Sequence, residues 1–419
     1  MSTTYATRGP TRDTERSPAP DLARGFMLLL IVLANSPFYL WAATEVGLTS
    51  PHPKDGSTLD LMVDAVIITA VDFRTYPMFA FLFGYGMVQL YRRQTAGGLP
   101  EDAARRLLQR RNRWLLVFGF VHAALLWMGD ILGAYGLAGL VLVALFLRRR
   151  DKTLIIWAAV LTGLLLLSAI GSVLGGVFVA GQPAAGDMAA SGFGITATQA
   201  EPNYLLAMIY RLVFWAGFST LIQGLLMLVV PVMILLAFWA GRRQILERPG
   251  EHLTLLRRTA AIGIPIGWLG ALPSVLMHLG VLDIPEHASW MFSSLSTVTG
   301  MCAGVGYVAL FGLIGHHVSQ RRSRQPEAGT RLGFTGAVTA VGKRSLSCYL
   351  LQSVLCAPVL AAWGLGLGQY LGSATMAAYA IGVWLVTVIF AVLLERAGRR
   401  GPAEVLLRRL AYRRPLTAT

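Results

Sequence analysis

Apolar runs long enough to cross a lipid bilayer recur from Phe26 to Glu395, and that repetition constrains the fold more than any other feature of the chain. A bilayer core of about 30 Å takes roughly 20 apolar helical residues, and in lipid each segment must satisfy its own backbone polar groups. Many such runs in one chain predict an all-α, polytopic helical membrane bundle. Only 14% of the 419 residues are charged and 55% are hydrophobic. A soluble domain carries roughly 25% charged residues, so this chain has too little polar surface for water.

Ten transmembrane helices are predicted, over residues 25–43, 61–91, 112–128, 131–148, 153–179, 214–240, 259–280, 290–315, 345–363 and 372–394. Residues 1–20 read as a disordered cytoplasmic tail, 21–410 as a single transmembrane domain and 411–419 as a second cytoplasmic tail. The first run has too long a polar lead and no A-x-A site, so it is an uncleaved span. Span two is too long for a straight crossing, which predicts a kink at Tyr76-Pro77 or a start lying along the outer surface. Spans three and four form a hairpin around Met128-Gly129-Asp130. The stretch 180–213 reads as a Gly/Ala-rich outer loop that becomes an amphipathic surface helix near Tyr204 to Phe214.

The net charge of +15 orients this bundle. A nucleic-acid binder gathers its basic residues in one patch interleaved with aromatics. Here 33 of the 36 fall in alternate connections and at the two ends, which excludes a nucleic-acid partner and places both termini in the cytoplasm. The near absence of lysine among them points to a GC-rich bacterial genome, hence a bacterial plasma membrane. Cys302, Cys348 and Cys356 all fall in apolar runs, so neither disulfides nor a zinc site are expected. Gly171, Gly175 and Gly176, like Gly133, Gly136 and Gly139, sit at spacings for close helix approach.

Ionisable groups inside spans are costly, and each is a functional candidate. Asp21 and Arg24 share a helix face at the mouth of span one, with Asn35 near mid-membrane further along it. Asp72 and Arg74 lie deep in span two, where the arginine needs a partner or a water-filled cavity. His122 and Asp130 flank the outer end of span three, where Asp130 can cap the next helix or orient the imidazole as a general base. His52, in the first outer loop, has Asp55, Asp60 and Asp64 nearby. Tyr349, Gln352 and Ser353 in span nine can line a polar cavity or bond between helices. No metal-ligand spacing, nucleotide-binding loop or Ser-His-Asp signature occurs, so any catalysis comes from residues the fold assembles.

Several motifs together are familiar. Gly119-Phe-Val-His122, then Leu126-Trp-Met-Gly-Asp130-Ile-Leu132, Tyr135 and Gly139, resemble the central signature of the YeiB family of bacterial membrane proteins, a family defined by a domain of unknown function. Asp21-Leu-Ala-Arg24-Gly25 with Asn35 resembles its first helix. Arg74 with Phe79-Ala-Phe-Leu-Phe-Gly84-Tyr-Gly86 resembles its second, from which Pro77 departs. Gly342-Lys-Arg-Ser-Leu-Ser-Cys-Tyr349-Leu-Leu-Gln352-Ser353 and Gly401-Pro-Ala-Glu404 resemble its later segments.

A more distant similarity, in the first helix and the outer-loop histidine, points to membrane acetyltransferases that acetylate heparan glucosamine. That resemblance implies a membrane acyltransferase with acyl-CoA as donor. His52 or His122 would be base or acyl carrier, oriented by Asp64 or Asp130. Arg24, Arg74 and the arginines of 92–113 would hold the donor's phosphates. The alternative is a transporter for a small polar or amphipathic molecule, with Asp72 and Arg74 at its midplane site.

Overall fold

The computed structural model describes residues 4–5, 18–43, 46, 50–183, 197–324, 333–412 and 416–417. Most of the expected tails, and residues 184–196 of the expected outer loop, lie outside them. Helix α1 (Pro18–Asn35) already starts within the stretch read as a tail.

Each of the ten expected spans has a helix. After α1 come α2 (Thr58–Ala70) and α3 (Thr75–Ala96), then α4 (Glu101–Leu125), α5 (Ile131–Phe146) and α6 (Asp151–Ala180). A short α7 (Ala197–Ala200) leads to α8 (Tyr204–Phe214), which continues as a π-helical stretch, Trp215–Leu226, before α9 (Val229–Arg242). The chain closes with α10 (Leu253–His278), α11 (Ser293–Arg324), α12 (Phe334–Lys343), α13 (Ser345–Leu360), α14 (Ser373–Arg396) and α15 (Pro402–Tyr412). Among the described residues, seven segments are long and apolar enough to cross a membrane, and α5, α9 and α13 are shorter apolar helices. Both chain ends lie at the arginine-rich end of the bundle, where Thr4–Tyr5 pairs antiparallel with Leu416–Thr417.

Two expectations about helix continuity are corrected. Span two breaks at Val71–Arg74, not at Tyr76-Pro77. Phe73 takes a left-handed φ of 57°, unusual for a side chain with a Cβ. Pro77 sits in the first turn of α3, where a missing N–H costs no helical bond. In α2, Asp64 and Ile67 are buried on one face, while Leu59, Met62 and Val66 are exposed on the other. Span six is divided at Leu228, whose φ is 61°, so α9 alone makes the buried crossing. At 1.5 Å per residue its 14 residues reach only about 21 Å, which suffices because neighbours and not lipid surround it. Helix α12 has no counterpart in the sequence reading, since ten residues ending in Lys343 give no membrane-length run.

Burial sorts the helices into an inner set and a lipid-facing set. Val229 to Phe238 of α9 are almost entirely buried against α3. In α6 only Leu154, Ala158, Ala169 and Gly176 are buried, while Leu167, Leu174 and Phe178 are each at least 66% exposed. An apolar surface of that extent fits lipid and not water.

Glycines set the closest approaches. A Cβ on Gly25 would overlap the Val338 carbonyl, and one on Gly342 the Asp21 carbonyl, so α1 and α12 pack antiparallel with their backbones touching. Gly133, Gly136 and Gly139 likewise admit Trp215, the Asn112–Leu116 backbone and the Asn112 side chain, and Gly176 admits Met291. Gly171 instead faces open space, and Gly175 makes only an ordinary contact with Trp290, which corrects the expected packing role for those two. Gly342→Ala and Gly25→Ala should each cost about 1–3 kcal/mol, read as a lower melting temperature in detergent. Gly171→Ala should leave the melting temperature unchanged or slightly raised. An unchanged Gly342→Ala protein would show that α12 is not seated on α1.

Candidate functional site

The hairpin between α4 and α5 carries the first candidate pair. Asp130 is the N-cap of α5, its Oδ2 accepting from the Gly133 amide at 2.7 Å and from the Trp215 indole at 3.1 Å. Its Oδ1 accepts from His122 Nδ1 at 2.8 Å, and both side chains are buried. The expected alternatives for Asp130, cap or orienter, are therefore both realised. With the proton held at Nδ1, His122 Nε2 keeps its lone pair, and that atom is buried without a partner. Fixed at one nitrogen and free at the other, the ring has the arrangement a general base needs.

His52 is different. Its Nδ1 bonds Asp64 Oδ1 and its Nε2 bonds Asp72 Oδ2, each at 2.7 Å. Asp64 also accepts from the Ser373 hydroxyl at 2.7 Å, with His278 at 3.5 Å. Burial alone pushes the imidazole down, but Asp72 and then Asp64 overcome this and carry it up to about 9. With both nitrogens committed and the ring protonated at neutral pH, His52 ties its loop to α2 and to the break after it. It has no free nitrogen to act as a base. Asp55 and Asp60 stand apart: Asp60 caps α2 with Ser57 and accepts from the Ala374 amide.

Arg74 lies at that break, fully buried, donating to the carbonyls of Asp72 and Gly267. Gly300 and Gly304 of α11 approach the backbone of Phe73 and Arg74, and Gly267 lies midway along α10, so the break faces α10 and α11. Arg74 does not reach the basic end, so it stands apart from the other arginines expected to hold phosphates. Asn35 ends α1 and does not cap the turn that follows it. Gln352 donates to the Leu28 carbonyl at 3.1 Å, a bond between helices.

At the basic end a cavity of about 1640 Å³ opens between α1, α3, α5, α13 and α15. Nine arginines and Lys343 line it against Asp21, Glu247, Glu395 and Glu404, so its wall carries six net positive charges. Those carboxylates have structural duties. Asp21 pairs with Arg24 at 3.2 Å, and Glu395 pairs with Lys343 at 2.7 Å and Arg344 at 2.6 Å. Glu404 accepts from the Leu346 and Ser347 amides and so caps α13, which joins the two C-terminal motifs. Glu247 takes the Tyr85 hydroxyl and the Gln89 amide.

Deeper in, Arg24 donates to the Leu82 carbonyl at 3.2 Å in space that Gly86 leaves open, and Arg111 lies over the Phe83 ring at 5.7 Å. The inner end is apolar and aromatic: Phe79, Phe83, Leu132 and Tyr135, with Tyr135 stacked on Phe79 at 4.7 Å. It stops at Tyr349, whose ring centre is 5.2 Å from that of His122 and whose hydroxyl lies 3.4 Å from the Ile131 amide. Of the expected residues, the cavity brings together Asp21, Arg24 and Tyr349, with His122 and Asp130 one side chain behind them. His52, Asn35, Arg74 and Gln352 do not line it. Arg92, Arg93 and Arg111, among the 92–113 arginines expected to hold phosphates, do line it, whereas the sequence reading did not single out Tyr135. Tyr135 stood in the central motif, but only the fold shows that it faces a cavity.

The raised titration of His52 has a consequence for stability. A group raised on folding contributes fully below its ordinary value of 6.5 and loses that contribution as pH climbs through about 9. The melting temperature of the protein should therefore fall over that range, by an amount equivalent to about 3 kcal/mol. His52→Gln should melt lower at neutral pH and lack the slope. A flat wild-type profile would contradict the triad.

Similarity to known proteins extends over most of the chain. A family model described as a protein of unknown function, DUF418, matches residues 240–414. YxaH of Bacillus subtilis (strain 168) is 29% identical over 96% of this chain and 96% of its own length. YeiB of Escherichia coli (strain K12) is 27% identical over 95% of this chain and 97% of its own, and both carry the description uncharacterized protein. The chain thus carries a DUF418 match in its C-terminal part and is similar to YxaH and YeiB over nearly its whole length.

Proposed function

We propose that this protein is a membrane acyltransferase that takes acyl-CoA from the cytoplasm into the basic cavity and uses His122 as general base. One observation carries the reading: the cationic cavity ends at Tyr349, and directly behind it stands a histidine oriented by a buried carboxylate with its other nitrogen free. Coenzyme A carries a diphosphate and a 3′-phosphate, which match Arg24, Arg111 and the arginines at the mouth. The narrow aromatic end suits a pantetheine arm and a short acyl chain. The positive-inside rule places the arginine-rich end in the cytoplasm, where acyl-CoA is made.

In this mechanism the acceptor's hydroxyl or amine attacks the thioester carbonyl while His122 Nε2 takes its proton. Asp130 stabilises the imidazolium that forms. The proton then passes to the departing thiolate sulfur, so an acyl–sulfur bond is exchanged for an acyl–oxygen or acyl–nitrogen bond with no net proton change. Positioned base catalysis of this kind contributes about 10²–10⁴-fold.

The broken second span is the observation that favours a transporter, since discontinuous helices form such sites. Most of its polar groups are committed: both Nη groups of Arg74 bond carbonyls and Asp72 holds His52, which leaves Arg74 Nε buried without a partner. The acyltransferase reading uses a histidine nitrogen buried without a partner behind the end of a cationic cavity.

Two measurements test it. Desulfo-CoA should raise the melting temperature of the purified protein, and Arg111→Gln should abolish the shift. Consumption of radiolabelled acetyl-CoA by proteoliposomes supplied with a bacterial membrane extract should fall about 10²-fold or more in His122→Ala. It should persist in His52→Gln at temperatures where that variant is folded. Full activity in folded His122→Ala would end this mechanism, and failure of any CoA compound to bind would move the assignment to transport.

A further inference from the structure

At the end of α4, beside His122, a second group of buried polar atoms has no partner among the described residues. Arg211 of α8 is fully buried. Its Nε and Nη2 donate to the last carbonyls of α4, Ala123 at 3.2 Å and Ala124 at 2.9 Å, next to His122 in the chain. Its guanidinium lies 5.1 Å from the Tyr204 ring centre and 5.4 Å from that of Trp363, while Nη1 is buried with no partner. Among the described residues no carboxylate forms an ion pair with it. The indole N–H groups of Trp127 and Trp363 and the side-chain oxygen of Gln199 are also buried and unpartnered.

These four groups belong to one neighbourhood. The Gln199 carbonyl accepts from the Ala362 amide at 2.8 Å, beside Trp363. Thr198 bonds Met128 Sδ at 2.7 Å, beside Trp127. Arg211 joins Trp363 to the end of α4. Buried polar atoms in folded proteins are nearly always paired, so several unpaired ones around a single hairpin call for a partner from outside the chain.

Resting on the acyltransferase reading, we infer that Arg211, Trp127, Trp363 and Gln199 form the acceptor subsite, and that the acceptor carries an oxyanion, a carboxylate or a phosphate, beside the group to be acylated. Three N–H donors, one of them cationic, complement an oxyanion, and the amide oxygen takes a hydroxyl. The rings of Tyr204 and Trp363 wall the site with apolar surface. His122 then lies between donor and acceptor, with phosphate-holding arginines on one side and the acceptor's anion on the other. At Arg74 both Nη groups already bond carbonyls and Nε alone is buried without a partner, so that residue does not gather a comparable set of donors.

The test uses detergent-solubilised full-length protein and thermal-shift titration with four probes: glycerol 3-phosphate, glycerate, phosphatidic acid in mixed micelles, and neutral glycerol. At least one anionic probe should stabilise the wild type, and glycerol should not. The anionic arm that works names the source, a soluble phosphate, a soluble carboxylate or a lipid headgroup. Arg211→Gln should weaken that probe about tenfold or more. Trp363→Phe, which keeps the ring and removes the N–H, should weaken it several-fold without lowering the melting temperature.

Anions can also enter the basic cavity, so Arg111→Gln serves as the counter-variant. It should lose the desulfo-CoA shift and keep the acceptor-probe shift, whereas Arg211→Gln should do the reverse. Loss of desulfo-CoA binding in the wild type would overturn the donor reading, and retention of the anion shift in Arg211→Gln and Trp363→Phe would overturn this one. Equal shifts from glycerol and the anionic probes, or no shift from any of them, would also overturn it.

Discussion

The arrangement around the candidate site depends on one buried carboxylate. A carboxyl group in an apolar interior is tolerated only when its oxygens are hydrogen-bonded, and Asp130 finds three partners from three different segments: His122 of α4, the first turn of α5 and Trp215 of the π-helical stretch. Those bonds set the angle of the hairpin, choose the protonated nitrogen of His122 and pull the π-helical stretch against α5. Gly119 and Gly133 are as much a part of this as the acid. A Cβ on Gly119 would overlap the Asp130 carboxylate, and one on Gly133 would meet the Trp215 ring at 2.6 Å.

Two histidines of similar standing in the sequence acquire opposite roles in the fold, and hydrogen-bond accounting separates them. His52 has two carboxylates and no free nitrogen, so it is an ion-paired tie between its loop, α2 and the break after α2. His122 has one carboxylate and one open nitrogen beside a cavity. The cavity adds a gradient of its own, from arginines at the mouth to stacked aromatics at the inner end. Such a surface matches a molecule with a phosphorylated head and a slender apolar tail, and a site for a uniformly polar solute would lack that division.

Hydropathy made the ten spans legible, because lipid forces each crossing into a continuous apolar run and arginine marks alternate ends. Departures occur where packing inside the bundle replaces lipid as the constraint. The break at Phe73 depends on α10 and α11 approaching it, which no local signal near Pro77 reports. Helix α9 could be short because it is enclosed, and α12 could exist because Gly25 and Gly342 let it lie on α1. For the site, the sequence supplied the residue types and the motif around His122 and Asp130. It could not say which histidine nitrogen is free or that Arg111 reaches the cavity wall. Nor could it show that Arg211 closes over the end of α4, because those facts belong to contacts between distant segments.

The most direct test of the central claim is a cryo-electron microscopy structure of the protein with a non-hydrolysable acetyl-CoA analogue. The account predicts phosphates against Arg24 and Arg111, the pantetheine arm along Phe79 and Tyr135, and the acyl carbon near Tyr349. His122 Nε2 should then lie within about 3.5 Å of an acceptor atom placed for attack on that carbon. Density for the analogue elsewhere, or an acyl group separated from His122 by an intact wall of side chains, would contradict it.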